Sequence, residues 1–379
     1  MAKEYLFTSE SVTEGHPDKI CDQTSDAILD EVLRQDKNGR VACETLTTKG
    51  LIFIAGEITT KAHIDAPEIA REVLKNIGYT DDSYGFNYQT GAIITSIQQQ
   101  SPEISQGVDT GGAGDQGMMF GYAVDETETF MPLPISLAHN LVMKMASLRK
   151  EKVLPYLRPD GKSQVTILYK DNIPEKVTSV VLAAQHNPDI SQKKIKDDLT
   201  GLVINQVIPE KYRTDKMDIF INRTGSFAVG GPQADTGVTG RKIIVDTYGG
   251  IGSHGGGSFS GKDPSKVDRS ASYYARYIAK NIVAAGLAKR CQIQIAYIIG
   301  QPQPVSYMLN LFGTGKVEEE KIIRHIKENL DLSPRGIINK LNLLRPIYYK
   351  TASYGHFGRE DKDFTWEKTD LVDFFKELL

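Results

Sequence analysis

The densest chemistry in this sequence lies in Gly249-Gly250-Ile251-Gly252-Ser253-His254-Gly255-Gly256-Gly257-Ser258-Phe259-Ser260-Gly261-Lys262-Asp263. It follows an expected strand and precedes an expected helix opening at Pro264, a favoured first helical residue. Glycines let backbone N–H groups turn toward an anion, a helix start adds positive potential, and Lys262 adds a full charge, so the stretch reads as a phosphate-binding loop. Gly256 to Lys262 fits most of G-x-x-x-x-G-K-[ST], but Asp263 stands where the magnesium-binding hydroxyl belongs. Arg241 and Lys242 before the loop, with Lys266 and Arg269 after it, bring four or five cations to one place, a count suited to a polyphosphate.

A second signal is Ser9-Glu10-Ser11-Val12-Thr13-Glu14-Gly15-His16-Pro17-Asp18-Lys19. Pro17 marks a helix start, which puts His16 at the cap and Asp18 in the first turn. Asp18, Asp22 and Ser25 or Asp26 then share one helix face. Asp18 is open to two readings: a ligand for Mg²⁺, which takes one or two carboxylates plus substrate phosphates, or a charge that complements the helix dipole. His16 is either an ordinary cap or a hydrogen-bond donor beside a magnesium-phosphate site. Gly111-Gly112-Ala113-Gly114-Asp115-Gln116-Gly117 reads as a mobile loop opening a strand and is a candidate lid. Glu44 and Glu57 lie in otherwise apolar strands, and on the residues alone a solvated sheet face accounts for both.

Positioning these residues needs a mixed fold. The spacing predicts one order of elements three times. The first has a strand at 4–7, a helix at 17–33, strands at 41–47 and 51–59 around Lys49-Gly50, a helix at 67–77 stopped by Gly78, and a strand at 90–97. The second has a strand at 118–124, a helix at 135–150, strands at 164–169 and 178–184, a helix at 191–207 and a strand at 218–221. The third has a strand at 242–246, a helix at 264–285, strands at 292–298 and 305–311 and a helix at 317–329, then an irregular tail and a last helix at 371–379. This β-α-β-β-α-β order implies an α+β architecture of split βαβ units.

Composition sets the outer bounds. The 379 residues carry 45 Lys and Arg against 48 Asp and Glu, a net charge of −3 without the basic excess of a nucleic-acid binder. Cys21, Cys43 and Cys291 are odd in number and widely spaced, which frames neither a disulfide scaffold nor a zinc site. No leader sequence and no run of about 20 apolar residues is visible, so a cytoplasmic protein without a membrane span is expected.

Several of these words belong together. His16-Pro17-Asp18-Lys19, Gly112-Ala113-Gly114-Asp115-Gln116-Gly117, Arg158-Pro159-Asp160 with Lys162-Ser163-Gln164-Val165, Gly240-Arg241-Lys242 through Tyr248-Gly249-Gly250, and the run from Gly255 to Arg269 resemble the S-adenosylmethionine synthetase (methionine adenosyltransferase) family over nearly the whole chain. The resemblance implies three similar βαββαβ-type domains in a pseudo-threefold arrangement (1–100, 112–230 and 231–379), interleaved in space. It implies a homotetramer built as a dimer of dimers with active sites at the dimer interface, ATP and L-methionine as substrates, and no nucleic acid or membrane partner. It also implies two Mg²⁺ and one K⁺ per site.

Carried over by position, His16 stands near the ribose–triphosphate oxygen, Asp18 and Asp268 are magnesium ligands and Glu44 a potassium ligand. Glu57, Gln100, Asp235 and Lys266 form the methionine set. Asp160, Lys162, Ser226, Phe227, Asp235, Arg241, Lys242, Ser258 and Lys262 join His16 in contacting ATP, and Asp115 lies near the sulfonium. The resemblance thus overturns the solvated-face reading of Glu44 and Glu57. The chain departs from the family between Asp109 and Gly112, where only Thr110 and Gly111 replace a longer insert, so a short gating loop is expected. The implied reaction is displacement at C5′ of ATP by the methionine sulfur, followed by hydrolysis of the triphosphate. His16, Lys162, Arg241, Lys242, Lys262 and Asp115 carry the catalysis. The rivals are a P-loop kinase or NTPase built on Gly256–Lys262 and a non-catalytic nucleotide sensor.

Overall fold

The computed structural model describes residues 3–99 and 111–379. Three sheets carry the architecture. The first has the order β4-β3-β2-β9, from β2 (Arg40–Thr48), β3 (Leu51–Thr59), β4 (Ala92–Gln98) and a two-residue β9 (Gly237–Val238). In the second, β1 (Glu4–Val12), β6 (Leu157–Lys170), β7 (Ile173–His186) and β8 (Asp218–Ile221) lie side by side in that order. The third runs β11-β10-β5, from β5 (Gly117–Val124), β10 (Arg290–Tyr297) and β11 (Ser306–Asn310). Along the chain the β-α-β-β-α-β order holds for the first two units, but the opening strand of each unit is passed on. β1 joins the second sheet, β5 the third and β9 the first. The exchange is cyclic, and it interleaves three units of similar α+β build.

Helices cover one face of each sheet: α1 (Pro17–Gln35) and α2 (Ala66–Ile77) the first, α3 (Leu133–Lys150) and α4 (Gln192–Leu199) the second, α6 (Val267–Ala284) and α7 (Glu319–Asn329) the third. The other faces stay open, with Glu44, Glu57, Ile94, Leu6, Met118 and Met308 exposed on them.

Four sequence expectations fail for identifiable reasons. The β-branched run Ile243-Ile244-Val245 is not the strand expected over 242–246 but the short helix α5 (Ile243–Asp246), because Asp246 is drawn inward to the buried ammonium of Lys19 and the chain must coil to reach it. The opening strand of the third unit is β9 instead. Helix α6 starts at Val267 rather than Pro264, since Asp263 Oδ1 accepts the Ser265 N–H and closes a turn there. Past Leu199 the helix expected over 191–207 passes through a π-helical turn, Thr200–Ile204. The tail expected to be irregular folds α8 (Pro334–Leu341), capped by Ser333 Oγ on the Gly336 N–H; the terminal helix shortens to α9 (Val372–Lys376).

One buried stripe ties α1 to the distant chain. Asp18, Asp22, Asp26 and Asp30 recur every fourth residue, and each accepts a backbone N–H: from Val238, Gly240, Gly261, and both Tyr348 and Tyr349. Asp26 also receives Arg269 of α6 through both oxygens at 2.6 and 2.8 Å, with both side chains fully buried. Removing one partner of such a pair leaves an uncompensated charge in the interior. Asp26→Ala is therefore expected to cost about 3–5 kcal/mol, read as a drop in the urea midpoint. Lys75→Ala, which breaks an exposed pair with Glu72, should cost less than about 1 kcal/mol.

Candidate active site

His16 caps α1: its Nδ1 accepts the Asp18 N–H at 3.2 Å, so in the neutral ring the proton sits on Nε2, which is left as a donor. Burial, with the charges of Lys242 and Lys162 close by, holds its pKa down to about 3. The cap reading of His16 is met, and the same tautomer leaves the Nε2 proton for a further acceptor. Asp18 receives Lys242 Nζ at 2.6 Å and the Val238 N–H at 2.9 Å. Burial pushes its carboxyl up, but these hydrogen bonds outweigh it and hold the group below its usual range. Arg241, beside Lys242, is exposed.

Asp160, on β6, lies in the same group. Its Oδ2 accepts the Gly231 N–H at 2.9 Å, while the buried Oδ1 has no partner, and burial raises the pKa to about 6 despite that bond and nearby Lys162. An unsatisfied buried oxygen marks a place for a donor from outside the chain. Ser226 and Asp235 are exposed and Phe227 half-buried on the adjoining segment, which Gln185 and Arg158 hold through the Ala228 carbonyl.

The second group surrounds a cleft of about 360 Å³ lined by Glu44, Glu57, Ser258, Ser260 and Lys262 among others. Glu44 faces Ala55 and Glu57 faces Ala42 across β2 and β3, so the two carboxylates lie diagonally on the open sheet face. Lys262 Nζ contacts Asp268 Oδ2 at 2.6 Å. Asp115, two residues before β5, is exposed; a Cβ at Gly117 would lie 3.3 Å from Asp268 Oδ1. Lys266 Nζ is 2.5 Å from Asp263 Oδ2, and Gln98 pairs with Glu57 in register. Gln100, with Ser101 to Thr110, lies outside the described residues, as does most of the segment expected to gate the site.

Several site expectations change. The glycines after Tyr248 do not run directly into a helix start, since α6 begins only at Val267. A Cβ at Gly255 would lie 1.7 Å from the Met118 carbonyl, one at Gly261 1.9 Å from that of Cys43, and one at Gly257 2.5 Å from Asp268. These positions are glycine because backbones and side chains cross there. The stretch preceding the loop is helical and α6 starts five residues past Lys262, so the P-loop topology is absent. Arg269, committed to Asp26, is not a free anion-binding cation. Gly112-Ala113 is buried and pinned to Gly300-Gln301 by the Ala113–Gln301 and Gly300–Ala113 backbone bonds, so this part is no mobile lid. Asp22 is a structural acceptor for Lys19 and Gly240 rather than a further ligand.

Sequence reasoning missed Lys19 as a keystone. It is fully buried between Asp22, at 3.0 Å, and Asp246. Two carboxylates share its single charge, and burial pushes Asp246 up to about 7. Asp22 holds the N–H of Gly240 and Asp246 ends α5, so Lys19 brackets Arg241-Lys242 from both sides. The i, i+4 pattern of acids was the available signal.

Family models for the N-terminal, central and C-terminal domains of S-adenosylmethionine synthetase match residues 4–102, 110–227 and 229–368. The chain belongs to the S-adenosylmethionine synthetase family. It is 58% identical over 375 residues to the S-adenosylmethionine synthase of Sorangium cellulosum (97% of this chain, 88% of that one). It is 57% identical over 381 residues to that of Syntrophobacter fumaroxidans (99% and 98%) and 56% identical over 386 residues to that of Brachyspira hyodysenteriae (98% of each). Among the described residues of this synthetase-family chain, no three His, Cys, Asp or Glu side chains cluster as a ready metal site, and no helix is long and apolar enough to cross a membrane.

The buried neutral His16 has a consequence for acid stability. Between its folded value of about 3 and the unfolded value near 6.5, the unfolded chain binds the proton and the native one does not. Stability from this group is full above about 6.5 and is lost as the pH falls. His16→Asn keeps an oxygen acceptor at the cap. Relative to that variant, the unaltered protein should lose up to about 1.4 kcal/mol per pH unit between about pH 6 and 4, measured by denaturant unfolding at each pH.

Proposed function

We propose that this chain joins ATP and L-methionine into S-adenosylmethionine by displacement at C5′, in a site assembled from two copies. Membership in the family makes it an enzyme, a methionine adenosyltransferase of S-adenosylmethionine biosynthesis. The observation that carries the finer reading is the pairing of aspartate with lysine in both groups, Asp18 with Lys242 and Asp268 with Lys262, each at 2.6 Å. The Asp18 pair is largely buried and the Asp268 pair partly exposed, and a pair of the second kind contributes little to stability. As a place for a polyphosphate with its magnesium, each pair has a use: the lysine meets phosphate and the carboxylate meets the metal.

The donor set suits that chemistry. Mg²⁺ takes one or two carboxylates and fills its remaining positions with phosphate oxygens and water, and each pair offers one carboxylate. Glu44 and the unpartnered, buried Ser260 Oγ give the cleft oxygen donors for K⁺. When bound, magnesium supplies positive charge to the leaving triphosphate. The chain's own part is alignment and charge. Lys162, Arg241, Lys242 and Lys262 stabilise the triphosphate as it departs, and His16 donates from Nε2 to an oxygen on the same group. Glu57, Asp235, Lys266 and Gln100 hold methionine so that its neutral sulfur, which needs no base, faces C5′. Asp115 offsets the positive charge growing on sulfur. Asp160, Ser226, Phe227 and Ser258 hold the nucleoside and phosphate ends. Hydrolysis of the triphosphate to pyrophosphate and phosphate completes the cycle.

Two features support assembly from two copies. The site residues fall into two groups whose anchors on α1, Asp18 and Asp26, stand about 12 Å apart by the helical rise. The three sheets each leave one face open, with Leu6, Ile94, Met118 and Met308 exposed on them. Exposed apolar side chains on open sheet faces are surfaces a second copy could bury. The homotetramer, a pair of such dimers, rests on the family resemblance. Three buried, unpaired cysteines suit a reducing, cytoplasmic setting.

Incubation with ATP, methionine, Mg²⁺ and K⁺ should yield S-adenosylmethionine, pyrophosphate and phosphate with no ADP. ADP formed without methionine would sink this reading. Lys262→Ala is expected to lower kcat by about 10²–10³-fold with an unchanged unfolding midpoint, and near-normal turnover would remove Lys262 from the site.

A further inference from the structure

The segment placed against the nucleoside is held by a residue that no motif singled out. His186, the last residue of β7, is fully buried and brackets the main chain of Phe227. Its own N–H donates to the Phe227 carbonyl at 3.1 Å, and its ring Nε2 accepts the Phe227 N–H at 3.0 Å. Nδ1 lies 2.7 Å from the Asn187 carbonyl, which fixes the proton there and keeps the lone pair on Nε2. Gln192, the first residue of α4, reaches the same Nε2 at 3.3 Å. Both backbone groups of Phe227 are therefore committed to one side chain and its own main chain, while the residue stays half-buried.

The ring's position follows from that bracket. A Cβ on Gly230 would come within 2.8 Å of Phe227 Cε2, so the turn closes tightly behind the ring and leaves it no retreat. A flat heterocycle held against an aromatic face gains from stacking only at the right offset and separation. Small movements of the Phe227 backbone would thus be felt more by a purine on its ring than by the amino-acid substrate. We propose that His186 is a positioning residue for base recognition: without touching substrate, it fixes Phe227 through both backbone hydrogen bonds and so sets affinity and selectivity for the adenine ring. This inference rests on the reading that Phe227 faces ATP.

Three variants separate the two claims. Gln reaches as far as Nε2 and carries an acceptor oxygen there, whereas Asn reaches only as far as Nδ1. His186→Asn should raise the KM for ATP by about tenfold, the worth of one lost hydrogen bond, leave the KM for methionine within about twofold, and narrow the preference for ATP over GTP. His186→Gln should restore the ATP value. KM values for both substrates that stay put, or rise together, in His186→Asn overturn the proposal and leave His186 a structural residue. Phe227→Ala is the control for the underlying reading: if it leaves the KM for ATP unchanged, Phe227 does not face the base and the proposal falls with it. Hydrogen exchange on the unaltered protein needs no variant. The Phe227 N–H should exchange at least about tenfold more slowly than that of exposed Ser226, and equal rates overturn the bracket.

Discussion

The structure hangs on four carboxylates along one helix. Asp18, Asp22, Asp26 and Asp30 sit a turn apart on α1, all nearly excluded from water, and every one accepts a backbone N–H from chain more than 200 residues away. Buried acids in a row repel one another and are costly to desolvate. What makes the row tolerable is its partners: Lys242, Lys19 and Arg269 bring charge to the first three, and Asp30 has only the N–H groups of Tyr348 and Tyr349. Where cations are scarce the cost shows, for burial pushes Asp30 up to about 7. Helix α1 is thus a template on which β9, the loop ending at Lys262 and the tail after α8 are each laid in register. Both candidate site groups inherit their placement from it.

Much of this was legible in the sequence, and the reasons it was so are local. His16-Pro17 marks the start of α1 because the cap needs only residues two apart, and Gly78 stops α2 because a left-handed residue needs no distant partner (φ of 111°). The order of elements in the first two units could be read because hydrophobic periodicity is written into each segment. What escaped depends on long-range bonds. Ile243-Ile244-Val245 has strand propensity, yet a buried ion pair with Lys19 coils it. The strand exchange among units leaves no trace in spacing at all, since β9 is two residues long and is recognised only by pairing with Leu46 and Thr47.

The glycine-rich loop shows how one residue type answers to different constraints. Taken alone, its glycines, lysine and following proline spell an anion site. In the fold, Gly255 and Gly261 are small because the Met118 and Cys43 carbonyls pass within 2 Å of where a side chain would begin. Asp263, which spoils the P-loop pattern, is the knot: it accepts the N–H groups of Val41 and Ser265 and a lysine contact from Lys266, and these bonds hold its carboxyl below the usual range despite burial. The residue that argued against one nucleotide-binding fold is the one that seats Lys262 beside β2 in another.

Cyclic exchange of strands also explains why the candidate site draws on every part of the chain. A unit that gives away its opening strand must route its connection across a neighbour, and those crossings are where the polar side chains collect. His16 follows β1, which lies in the second sheet, and so comes beside Lys162 of β6. Gly117 opens β5, in the third sheet, and lies against Asp268 at the start of α6. Lys242 follows β9, in the first sheet, and meets Asp18. In each case a residue at or near the end of the exchanged strand lies against a charged group of the adjacent unit. A site built at such junctions exists only when all three units are folded together, which couples the placement of its charges to the stability of the whole molecule.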